Sequence, residues 1–101
     1  MQKIIFEADE ETVLKSNEVV TLRSKNHFVS IWPEDKITVH LRTGEIYTGQ
    51  VVWSIEPWCI SVQYTPSECI RFAANSIKKI EILEYSNLRP LNDRGNTGVI
   101  A

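Results

Sequence analysis

The chain has 101 residues, of which 43% are hydrophobic and 24% charged, with a formal net charge of −2. That length suits one domain, and the composition is that of an ordinary globular protein rather than a disordered or fibrous one. No apolar run reaches membrane-spanning length, and a net negative chain lacks the broad basic footprint of a general nucleic-acid binder.

The first residues, MQKIIFEADEE, hold no long apolar stretch of the kind a secretory leader needs, so a soluble cytoplasmic protein is expected. Charge is uneven along the chain. Residues 1–35 carry seven acids and four bases, 36–85 five of each, and 86–101 two bases and one acid. The acidity belongs to the N-terminal third, and the central part is neutral.

QKIIF at 2–6 reads as a short strand. EADEETVLKSN follows, with Val13 and Leu14 as its strong apolar residues. Its early acids and Lys15 suit the dipole of a short helix, and an exposed loop is the alternative. EVVTLRS at 18–24 and HFVSIW at 27–32 are rich in β-branched and aromatic residues and predict a hairpin turning at SKN. Phe28 and Trp32 are expected to pack these strands onto the rest of the molecule.

Pro33 ends that region, and residues 1–35 form an N-terminal extension. From Lys36 the alternation is clean: Ile37, Val39 and Leu41 face one way, Thr38, His40 and Arg42 the other, as in a half-buried strand. Lys36, His40 and Arg42 make a basic face that is solvent-exposed or a secondary nucleic-acid surface. RTGE is a turn in which Gly44 takes positive φ freely.

A long strand, IYTGQVVWSI, follows at 46–55 with Gly49 inside it. EPW at 56–58 interrupts, because Pro57 cannot donate to a ladder. CISVQY is the next strand, TPSE the next turn, CIRFA another strand, ANS a tight connection and IKKIEILEY the last. Residues 86–101, SNLRPLNDRGNTGVIA, have no periodicity and are expected to be a flexible tail. The class is therefore mainly β, with five short-linked strands over 36–85 that form a small barrel or sandwich.

If SVQYTPSECIRF is a hairpin turning near Pro66, Cys59 lies opposite residues near Ala73 rather than Cys69, which argues against a bridge between the two cysteines. Those cysteines with His27 and His40 have no zinc spacing, and no metal or cofactor is expected. No nucleophile elbow or phosphate-binding glycine loop is present, so the chain is expected not to be an enzyme.

The strand, Gly44, Tyr47 and Gly49 of ITVHLRTGEIYTGQVVWSI, with the spaced Ile77, Ile80 and Ile82 of FAANSIKKIEIL, resemble the two motifs of the Sm and Sm-like family over residues 37–82. Departures lie in the loops. Ala73 and Ala74 stand where the family has an Arg-Gly pair, and Cys59 stands at an asparagine position.

The resemblance implies a strongly bent five-stranded barrel in which Gly49 sits at the bend of a strand shared by both halves. It also implies a homo-oligomeric ring of about five to seven copies, closed head to tail by the edge of CIRFA against the edge of IKKIEIL. Single-stranded RNA or DNA would bind at loops around the pore. Counted from Gly49 the family's aspartate position falls on Ile55, and a shift of one residue puts Glu56 there, Trp58 at the stacking position and Cys59 at the asparagine. With Arg71 as a phosphate contact and Asn75 and Ser76 as base-edge or ribose contacts, these are the expected site residues. A small-barrel module that docks a protein and no nucleic acid is the alternative.

Overall fold

The computed structural model describes residues 4–9, 12–16, 20–25, 27–52, 59–89 and 98–99. In chain order the strands are β1 (Ile4–Glu7), β2 (Val13–Ser16), β3 (Val20–Arg23), β4 (His27–Ile31), β5 (Lys36–Leu41), β6 (Ile46–Val52), β7 (Cys59–Thr65), β8 (Glu68–Ala73), β9 (Ile77–Glu84) and β10 (Gly98–Val99). They form a six-stranded sheet ordered β1-β9-β5-β6-β7-β8 and a four-stranded sheet ordered β10-β4-β3-β2. Every pairing is antiparallel.

The fold is thus mainly β, and all five strands expected over 36–85 are present. β5 pairs with both its successor β6 and the last long strand β9. A 3₁₀ turn, Ala74–Ser76, carries the chain from β8 to β9. One buried cluster joins the sheets, including Phe6, Leu22, Val29, Ile31, Val39, Ile60, Ile80 and Ile82. His27 ties β4 to β1: its ring lies 4.6 Å from that of Phe6 and its Nε2 is 3.1 Å from the Glu7 carbonyl oxygen.

The two glycines act as their spacing predicts. The Leu41 amide donates to the Glu45 carbonyl and the Gly44 amide to the Leu41 carbonyl, closing the β5–β6 turn, and Gly44 has φ +97°. Gly49 has another role. A Cβ placed on it would lie 2.1 Å from the Gln63 carbonyl oxygen and 2.8 Å from the Tyr64 Cα. The backbone of β7 therefore crosses directly over the glycine.

The ladders agree with this crossing. β6 pairs with β5 through Ile46 to Gln50 and with β7 through Gln50 to Val52, so it changes partner at the residue after Gly49. The fold-back brings Tyr47 against Tyr64 and Phe72, with ring centroids 5.2 and 5.5 Å apart. Both phenols also donate outward, Tyr47 to Glu45 and Tyr64 to Glu68, and these bonds to carboxylates raise their pKa values.

Three expectations change. In the segment expected as a short helix, the Thr12 amide donates to the Asp9 carbonyl, the Asp9 amide donates to the Thr12 hydroxyl, and Val13–Ser16 form β2. A few favourable dipole contacts contribute only tenths of a kcal/mol each, and so short a helix is marginal alone. Pairing with β3 instead gives the four residues a backbone ladder along one edge and sets Leu14 against Leu22.

Phe28 does not pack inward. Val29 and Ile31 take the buried face of β4, so Phe28 lies on the opposite face, beside Arg23 and Thr21 around a recess of about 280 Å3.

Residues 86–101, expected as a tail, are anchored twice. β10 pairs Gly98 with Phe28 and Val99 with His27. Arg89 is 1% exposed and its Nη2 donates to Asp35 Oδ2 at 2.6 Å and to the Ser30 carbonyl at 2.5 Å. Asp35 also accepts from the Ser86 amide at 2.7 Å and the Trp32 amide at 2.9 Å.

The Asp35 clamp sits on a strained turn. Glu34 follows Pro33 with φ 72°, where glycine is the natural occupant. The side chain of Glu34 is exposed while its amide donates to the Val51 carbonyl. Glu34→Gly keeps that bond and removes the left-handed strain, so it is expected to raise stability by about 1 kcal/mol despite the added freedom of the unfolded chain. A urea midpoint that stays level or falls would contradict this.

Candidate nucleic-acid interface and sheet edges

The register of the β7–β8 hairpin decides what reaches one end of the six-stranded sheet. Cys59 pairs with Ala73 and Ser61 with Arg71. The start of β7, the end of β8 and the 3₁₀ turn therefore lie together, as the expected site requires. The same register shows that Cys59 and Cys69 are not opposed, and the two do not form a disulfide with each other.

Its side chains do not converge. Cys59 is fully buried, so it packs the interior and presents nothing to a ligand. A small apolar thiol is a natural core residue at the first position of a strand with Ile60 and Val62. The Ser76 hydroxyl donates to the Ala73 carbonyl at 2.7 Å and so serves the turn. Arg71 and Asn75 are exposed. Glu56 and Trp58 lie outside the described residues.

The N-terminal extension also reaches this end. Thr12, Val13 and Leu14 face Ala73, Ala74 and Asn75 across an open cleft of about 340 Å3. The Arg42 amide donates to the Ser76 carbonyl and its guanidinium to the Asp9 carbonyl, drawing the β5–β6 turn to the same corner. The secondary basic face is engaged too: His40 Nε2 lies 3.0 Å from Glu81 Oε2. Beside it a recess of about 390 Å3 is lined by Glu7, Ala8, His40, Lys78 and Lys79, a mixture of charges rather than a basic patch.

The strand edges are arranged differently from the expected ring. The edge expected to receive a neighbour belongs to β9, and β1 of the same chain fills it: Ile4, Ile5, Phe6 and Glu7 pair with Ile82, Glu81, Ile80 and Lys79. Ile4 and Phe6 are buried, at 4% and 0% exposure, so this cover is part of the core. The pattern of QKIIF shows a strand, but nothing local says which edge it takes. β8 ends the sheet on the other side.

Reasoning along the chain also missed the Asp35–Arg89 pair, because 54 residues separate the partners. The available signal was Leu88 and Arg89 before a proline in a stretch otherwise read as unstructured.

Among the described residues no three His, Cys, Asp or Glu side chains gather as a metal site, and no helix is long and apolar enough to cross a membrane. Comparison with family models, curated proteins and solved structures finds no match.

Proposed function

We propose that this chain is a non-enzymatic Sm-like β module that acts by binding protein, taking a strand along the outer edge of β8. The observation that carries this reading is the position of β8. It is a six-residue strand at the end of the sheet, with no second partner strand among the described residues. Bare edges of this kind pair readily with other chains unless lysine, proline or a bulge blunts them; β8 contains neither lysine nor proline, and the irregularity in its ladder lies at its start, opposite Gln63 to Thr65. The Sm-like assignment is supported by the five-strand run, the pairing of β5 with β9 and the β7 backbone crossing at Gly49.

Single-stranded nucleic acid at the 71–76 end is the second reading, favoured by the exposure of Arg71 and Asn75 beside the start of β7. Fluorescence anisotropy with labelled oligo-U and oligo-A RNA at low salt separates the two. The protein-binding reading expects no saturable signal. Binding that weakens with salt and is lost in Arg71→Ala would replace it with the second reading, since phosphate contacts release counterions.

A further inference from the structure

The proposed function leaves open what kind of strand β8 takes. Resting on that reading, we infer that the partner is a different protein whose strand carries a fixed order: from its N-terminus, an apolar residue, an acid, an apolar residue, any residue and a base.

The two faces of β8 set this order. Glu68, Ile70 and Phe72 lie on one face, Cys69, Arg71 and Ala73 on the other. A strand added to the outer edge runs antiparallel, as every pairing in the sheet does. Its residues then stand one by one opposite those of β8, and each opposed pair shares a face. Phe72 is 3% exposed and Ile70 half-buried, so apolar residues opposite them carry the core across the contact. Arg71 is exposed on the other face, between those two positions, and the residue that matches it is an acid.

At the start of β8 the charge is reversed. Glu68 is exposed and accepts from the Tyr64 phenol. The Tyr64 ring meets that of Tyr47 at 5.2 Å, and the Tyr47 phenol donates to Glu45 at 2.7 Å. Among the described residues neither carboxylate is ion-paired. Two carboxylates beside two aromatic rings attract a cation, because the faces of the rings are negative as well. The partner residue opposite Glu68 is therefore lysine or arginine.

No stretch of these 101 residues has that order, so a second copy of this chain does not supply the strand. A strand with its two charges exchanged would set like charge against both Arg71 and Glu68. The edge thus rejects the wrong partner by repulsion as well as holding the right one.

The test uses two fluorescein-labelled peptides, TVDVTKT and TVKVTDT, with anisotropy read at low salt. They share length, composition and net charge, and only the order of the two charges differs. The first is expected to bind the wild type about tenfold more tightly, because exchanging the charges turns two favourable cross-strand pairs into two like-charge pairs. The double variant Glu68→Lys with Arg71→Glu, both at exposed positions, is expected to reverse the preference. Its melting curve shows whether it is folded. If it is not, Glu68→Lys alone is expected to bind the two peptides equally, since each then makes one favourable and one unfavourable pair.

Equal binding of both peptides to the wild type overturns the charge order and leaves strand addition at β8 standing. So does a wild-type preference for TVKVTDT, or a preference that the folded variants do not change. Binding of neither peptide to the wild type overturns the edge reading itself, and the inference with it.

Discussion

Gly49→Val is expected to abolish most of the stability of the fold. The new Cβ alone would sit 2.1 Å from the Gln63 carbonyl oxygen and 2.7 Å from its carbon, far inside the contact distance of about 3.5 Å. The obstacle is backbone on a paired strand, so no side-chain rotation relieves it. Either β7 lifts away from β6, or the sheet straightens and separates Tyr47 from Tyr64 and Phe72.

We expect a loss of at least about 4 kcal/mol, the range reached only when core geometry is broken. Small domains hold roughly 5–15 kcal/mol in all, so the variant would unfold at low urea. Gly49→Ala is expected to fail as well, because the first carbon is the one that collides. Gln50→Val is the control: its position is exposed and in the same strand, and a change within about 0.5 kcal/mol is expected. A Gly49→Val melting temperature equal to wild type would show that β7 does not cross at this residue.

Arg89→Met is expected to cost about 3–5 kcal/mol, read as a fall in the urea midpoint. Arg89 and Asp35 are both fully buried at the side chain, and each faces the other's opposite charge. Removing the guanidinium leaves the Asp35 carboxylate with two backbone amides, from Trp32 and Ser86, and takes the side-chain donor from the Ser30 carbonyl. Asp35→Asn is expected to be at least as harmful, since it leaves a buried arginine without its counter-charge.

The double variant Asp35→Asn with Arg89→Met is expected to lose clearly less than the sum of the two, because it removes both charges at once. Strict additivity would mean the pair contributes little as a pair. Since Asp35 immediately precedes β5 and Ser30 lies in β4, the clamp fastens residues 86–89 to the junction of the two sheets. These losses would therefore appear as global destabilisation rather than fraying of a terminus.

The strands over 36–85 were legible from their short β-branched and aromatic runs and from the alternation of Ile37, Val39 and Leu41, although β5 also buries Thr38 and β7 buries Cys59 to Val62 in succession. Gly44 and Gly49 were legible for a related reason. A glycine inside a strand is unfavourable unless the backbone needs it, and both are needed, one for positive φ and one for contact with β7. The placement of Cys59 opposite Ala73 followed from the turn at Pro66 alone.

Val13–Ser16 misled because four residues with two apolar side chains carry too little pattern to separate helix from strand, and the decision came from β3. Phe28 misled because an aromatic residue in a strand suggests burial, whereas the parity of Val29 and Ile31 fixes its face. Cys59 was assigned to a binding loop by its position in a motif, and packing put it in the core instead.

From its residues alone, this protein was committed to short antiparallel strands, to a tight turn at Gly44 and to a side-chain-free point at Gly49, since these depend on local alternation and backbone freedom. Three things belonged to the tertiary structure: β1 covering the edge of β9, Arg89 entering the interior to meet Asp35, and β8 standing last in its sheet. The first two join residues far apart in the chain, and the third depends on where the whole sheet ends, so strand edges and buried charges find partners by geometry that no local pattern encodes.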